Sequence, residues 1–137
     1  MATSVKLHPE HSTDTLTDVR LHECAAVWQQ RLRLQDWDLK LSIVRVGDLG
    51  AGTLGDCDCH SVKRQARIRL LDPRDVEGQA FWFDGEAWNW HVTLVHELLH
   101  LHFHDLGLEW SGKESRPGER AIDAIAKALV VLDRERD

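Results

Sequence analysis

Apolar and polar residues change their period several times along this chain, and each change marks an element. Residues 1–13 are polar and without period, which predicts a loose arm. From 14 to 34 the spacing is helical, with Leu16, Val19, Ala26 and Leu32 as the expected buried stripe and Asp14 or Thr15 as N-cap. Residues 39–46 alternate, Leu39, Leu41 and Ile43 against Lys40 and Ser42, as a half-buried strand does; a phase change at Val44 suggests a bulge. The turn-rich run Gly47-Asp48-Leu49-Gly50-Ala51-Gly52 follows, without the Gly-Lys-Ser/Thr of a phosphate loop. Residues 53–59 read as a short second strand. Residues 66–71 alternate cleanly as a third, stopped at Asp72-Pro73. A loop with the aromatic patch Phe81-Trp82-Phe83 leads to a segment, 88–106, that is apolar nearly all round, the mark of a buried helix. Gly107 suits its left-handed C-cap, and Pro117 suits the first turn of a last helix running to 133.

Helix, three strands, helix, helix is the order of an α+β domain: helices packed on a small, largely antiparallel sheet. With 137 residues, the expectation is a flexible arm over 1–13 and one domain over 14–137 that buries a real core. No apolar run is long enough to span a bilayer, and the first residues lack the basic-then-apolar pattern of a secretory signal. The expected setting is cytoplasmic, without a membrane. The net charge of −6 gives no general drive toward nucleic acid. Lys63, Arg64, Arg67 and Arg69 form the one basic cluster and read first as the solvated face and end of a strand. Three cysteines, Cys24, Cys57 and Cys59, do not make a disulfide framework. Cys57-Asp58-Cys59-His60 is tighter than a C-x-x-C knuckle; it reads first as reduced thiols, with a second metal site as the alternative.

The chemistry concentrates in His96-Glu97-Leu98-Leu99-His100. Residues four apart share a helix face, so both imidazoles can reach one ion. Glu97 lies about 100° round the helix, beside such an ion, where it can hold a water instead of ligating. Zinc with two imidazoles, a third ligand and an open position lowers the pKa of bound water to about 7. Leu94, Val95, Leu98, Leu99 and Leu101 surround the motif, and buried imidazoles and carboxylates need partners or a metal. For the third ligand the first candidate is Glu119. Glu119 and Asp123 share a face with Ile122, Ala126, Leu129 and Val130, so two acids head an apolar stripe. Zinc would satisfy Glu119, and a ligand histidine's second N–H would satisfy Asp123. A helix N-terminus alone would also favour acids there. His104 is the rival, although its site lies about 12 Å along the axis from His96 on a straight helix. Asp105 qualifies if the helix ends early; His102 points to the other side.

The set His96, Glu97, His100, Glu119 and Asp123 resembles that of zincin metallopeptidases, and within them the gluzincin arrangement of H-E-x-x-H followed by a glutamate on a later helix. In outline the chain is also similar to SprT-like and phage-encoded metallopeptidase domains. The resemblance implies a zincin-like fold, one Zn²⁺ per chain on His96, His100 and Glu119, Glu97 as general base, Asp123 behind a ligand, and a peptide or protein substrate. By analogy it implies an extended substrate paired to an edge strand, for which 66–71 is the candidate. The chain has no tyrosine to stabilise an oxyanion, leaving zinc or one of His60, His91, His102 and His104. V-H-E-L-L-H-L-H-F-H-D is also similar to the motif of YbeY-type endoribonucleases, which carry a third histidine where this chain has Leu106 and glycine where it has Glu97. The differences favour peptide over RNA hydrolysis. A non-catalytic, metal-stabilised interaction module is the remaining alternative; the intact Glu97 speaks against it.

Overall fold

The computed structural model describes residues 14–50, 52–76, 88–108 and 115–135. The expected arm at 1–13 and the patch Phe81-Trp82-Phe83 lie outside the described residues. The chain runs α1 (Asp18–Arg31), β1 (Asp38–Val44), α2 (Val46–Leu49), β2 (Gly55–His60), β3 (Gln65–Leu71), α3 (Pro73–Val76), α4 (Trp90–Asp105) and α5 (Ser115–Arg134). This is the expected α+β class: five helices and a three-stranded sheet among the described residues.

The sheet is mixed, with order β1-β3-β2. β2 and β3 form an antiparallel hairpin, Cys57 opposite Ile68, while β1 joins β3 in parallel, Leu41 opposite Ile68. The expectation of largely antiparallel pairing thus describes one of the two ladders. Sequence order does not reveal that β3, last in the chain, inserts between the other two. Alternation then decides the faces. Leu39, Leu41, Ile43, Ala66, Ile68, Leu70, Cys57 and Cys59 turn toward the core. Lys40, Arg67 and Asp58 form one row of the opposite face. The arginines of the basic cluster are paired: on the strand face Arg69 holds Asp56 at 2.6 Å, and in the turn before β3 Arg64 holds Asp36 at 2.6 Å and Asp105 at 2.8 Å.

α1 and α4 cover the core face of the sheet. Thr17, not Asp14 or Thr15, caps α1, its hydroxyl accepting from the Arg20 amide. Its buried stripe is Leu21, Cys24, Ala25 and Trp28; Val19 and Ala26, expected in the core, are exposed. The phase is set by Leu21 and Trp28, whose large side chains gain more by burial than Val19 and Ala26. Asn89 caps α4, accepting from the His91 amide. At the other end Gly107, at φ 75°, closes a Schellman motif: its amide donates to His104 O and that of Leu108 donates to Phe103 O. In α4, Leu94, Val95, Leu98 and Leu101 are fully buried. α5 packs antiparallel on α4 through Ile122, Ala126 and Val130, and Asp133 takes Arg31 of α1 at 2.6 Å. α4 is therefore flanked by β2 on one side and by α5 on another, which places its middle turns between an edge strand and a helix that carries acids.

Candidate metal centre

The middle of α4 points its two motif histidines at α5. His96 and His100 sit one turn apart with ring centroids 5.1 Å from each other. Glu119, in the first turns of α5, reaches between them. Its Oε1 accepts from His96 Nε2 at 3.0 Å, and its Oε2 lies 3.2 Å from His100 Nε2. One donor atom from each of the three lies within 4.8 Å of the others, and this is the one such grouping of ligand-type side chains among the described residues. Asp123, a turn further along α5, brings Oδ1 to 3.5 Å from His96 Nδ1 and is held by Lys127 at 3.1 Å. The structure thus brings together His96, His100 and Glu119, the three residues that the spacing offered as ligands.

Glu97 turns away from α5, as 100° per residue requires. It is buried, 6% exposed, and lies on the same side of α4 as Thr93, one turn earlier. Thr93 meets β2 at Gly55, where a Cβ would lie 2.9 Å from Thr93 Cγ2 and 2.9 Å from the Arg69 carbonyl. The missing side chain lets the strand approach the helix. The Glu97 carboxyl is pushed up to about 8, first by burial and then by the negative charges of Glu119 and Asp56. Burial also pulls His100 down, and His96 adds to that, while Glu119 opposes it. Burial, and after it the neighbouring Glu97, push the Cys57 thiol up, which favours its protonated form.

The rival ligands are engaged elsewhere or stand apart. His102 Nε2 donates to the Leu32 carbonyl at 2.6 Å, closing the C-terminal end of α1. Asp105 is still helical and pairs with Arg64. His104, half-buried on the last turn of α4, is not in the cluster. Leu106, where a YbeY-type enzyme carries a histidine, is an exposed C-cap residue. Cys57 and Cys59 face the core from β2 and His60 accepts from the Lys63 amide, so the three do not converge. His91 is fully buried, its Nε2 2.6 Å from Asp14. A cavity of about 450 Å³ opens at the Asp38–Gln65–His60 end of the sheet, away from the cluster, with acids and bases interspersed along its wall.

Two features escaped the sequence reading. The strand 66–71, the candidate edge, is β3, hydrogen-bonded on both sides and so unable to receive a third chain. The edge strand against α4 is β2. Its signal was present as the alternation Gly55, Cys57, Cys59 against Asp56, Asp58, His60, small residues inward and polar residues outward, but strand order cannot be read from alternation. Gly55 was the second omission, because a close approach between elements far apart in sequence leaves no local pattern. Comparison of the chain with family models, with curated proteins and with solved structures returns no match.

Proposed function

We propose that this chain is a zinc-dependent metallopeptidase of the zincin type, with His96, His100 and Glu119 as ligands and Glu97 as general base. The observation that carries the reading is the convergence of two imidazoles and a carboxylate beside a buried second carboxylate. The donors fit the ion. Ligands at 2.0–2.1 Å in a tetrahedron stand about 3.3 Å apart, and one donor atom from each of His96, His100 and Glu119 lies within 4.8 Å of the others, so a small inward adjustment of the side chains would seat the ion. Two nitrogens and one oxygen favour zinc over calcium or magnesium. When bound, zinc would lower the pKa of a water and polarise a substrate carbonyl.

The remaining work belongs to the chain. Asp123 Oδ1 lies 3.5 Å from His96 Nδ1; with a metal bound it would accept from that N–H and fix the tautomer that leaves Nε2 to ligate. Glu97 takes the proton of the attacking water as its oxygen bonds to the carbonyl carbon, then returns it to the amide nitrogen as the C–N bond breaks. A cation on His96, His100 and Glu119 favours the ionised form of Glu97, offsetting the burial that raises it. An extended substrate would pair with the outer edge of β2, which has no strand partner among the described residues. A peptide is the substrate class such an edge suits.

The test is metal content after dialysis against a weak chelator, wild type beside Glu119→Ala, followed by hydrolysis of an unfolded protein. About one zinc per wild-type chain, lost in the variant, is expected from three-ligand coordination. Full zinc in Glu119→Ala would remove Glu119 from the ligand set. Zinc-loaded wild type without hydrolytic activity on unfolded protein would overturn the peptidase reading.

A further inference from the structure

α5 is apolar on two faces. One, Ile122, Ala126 and Val130, is buried on α4. The other, Ala121, Ala124, Ile125, Ala128, Val131 and Leu132, is exposed, with Leu132 59% exposed. Scattered apolar residues on a surface need no explanation, but a contiguous helical stripe does. Ala121, Ile125, Ala128 and Leu132 follow one another at intervals of four, three and four, the spacing of a helix-pairing seam. No charged residue interrupts this seam. Arg120, Lys127 and Arg134 are exposed and, at 100° per residue, stand on its flank beyond Ala124 and Val131.

The sizes along the seam alternate: small, large, small, large. Parallel pairing would set each residue against itself, so that alanine layers leave voids between crowded isoleucine and leucine layers. Antiparallel pairing centred between Ile125 and Ala128 sets Ile125 on the partner's Ala128 and Leu132 on the partner's Ala121. One position round the helix, Ala124 meets the partner's Val131. Every layer then has nearly the same volume, which is what close packing demands. We propose that α5 is a self-association surface on which two copies of this chain pair antiparallel about a two-fold axis.

The seam from Ala121 to Leu132 is about 17 Å long at 1.5 Å per residue. An interface of that length falls at the small end, below about 1,200 Å² in total, where complexes are weak and reversible. A micromolar or weaker dimer is therefore expected. Glu119 and Asp123 lie on the far side of α5 from the seam, so pairing leaves the metal cluster uncovered. The proposal is independent of the proposed catalytic function.

The experiment is sedimentation equilibrium of the full chain from low to high micromolar concentration. The mass should rise from 15.7 kDa toward twice that value. Ile125→Lys should hold the mass at that of one chain while leaving the helical circular dichroism unchanged, because the side chain replaced is on the solvent face. Ala121→Leu distinguishes orientation: it overfills the antiparallel layer and weakens the dimer, whereas it would fill the parallel void and strengthen it. A single-chain mass at every concentration, a dimer indifferent to Ile125→Lys, or one tightened by Ala121→Leu would each overturn the proposal.

Discussion

Helix α4 carries two histidine–carboxylate clusters, and only one of them has the form of a site. In its first turn, His91 is fully buried and its Nε2 meets Asp14 at 2.6 Å; Asp14 also takes Arg20 at 2.9 Å and accepts the Trp90 indole through its carbonyl. Two turns on, His96 and His100 are part-exposed and share one carboxylate from α5. The first cluster offers one imidazole and one acid already neutralised by a guanidinium, and the other ring nitrogen of His91, Nδ1, is buried without a hydrogen-bond partner among the described residues. The second has two imidazole nitrogens and two carboxylate oxygens converging, with a buried acid alongside. A tight His–Asp pair by itself says nothing of catalysis. The informative combination is convergence of several ligand-type side chains, part exposure and a buried carboxyl beside them.

The widest gap between the clusters should appear on removing a proton acceptor. Glu97→Gln keeps the shape of the buried side chain and none of its basicity. It should retain zinc and lose hydrolysis by roughly 10²–10⁴-fold, the usual share of a general base; elemental analysis beside a rate assay reads both. Asp14→Asn, at the first cluster, should leave both metal and rate near wild type once folded. Next in size is Asp123→Asn. An acceptor behind a ligand histidine typically contributes 10–100-fold in metal affinity, so competition with a chelating dye should show zinc loosened by that factor, with Glu97 untouched. Unchanged affinity would mean that the 3.5 Å contact to His96 Nδ1 does not set the tautomer.

The two clusters were unequally legible in sequence, for a physical reason. His96, Glu97, His100, Glu119 and Asp123 lie on two helices, where a fixed 3.6-residue period converts spacing into direction. Their faces could be assigned before any fold was known. Asp14 and His91 meet across 77 residues, and no periodicity links a residue before α1 to the first turn of α4. The same limit hid the insertion of β3 between its neighbours, the role of β2 and the approach at Gly55. The phase of α1 was misjudged for another reason: Val19 and Ala26 fit a helical stripe as well as Leu21 and Cys24 do, and packing against α4 and β1 chose between them.

Acid should separate the clusters on a smaller scale. Burial pulls His91 from 6.5 down to about 4, only partly opposed by Asp14, so the folded state holds it neutral. A depressed histidine contributes stability that is complete above 6.5 and is lost as pH falls toward 4. The loss should amount to a few kcal/mol for such a shift. Asp14, raised by burial but lowered more by Arg20 and His91, keeps its own contribution until below 3.8. Across this interval the wild type should therefore lose stability relative to His91→Gln, as denaturant unfolding of the two proteins at each pH would show. His100, depressed as well, adds a loss, and Glu97, raised, adds a gain as pH falls, equally in both proteins, so the difference between them isolates His91. Parallel slopes would show that burial of His91 is not what holds it neutral.

The smallest effect belongs to Lys127, on the solvent side of the second cluster. Its ammonium lies 3.1 Å from Asp123, four residues apart on α5, and is 65% exposed. Pairs of this kind contribute about 0.3–0.5 kcal/mol to a helix, and salt screens them. Lys127→Ala should thus lower stability by no more than that, and high salt should abolish the difference. Its effect on the metal should have the opposite sign. Asp123 divides its oxygens between Lys127 and His96; without the ammonium it is a better acceptor for His96 Nδ1, and zinc affinity should rise slightly, by less than threefold if the pair is worth under about 0.6 kcal/mol. A fall in affinity would mean that Lys127 holds Asp123 in place for the histidine, making the lysine part of the site and not a surface partner of it.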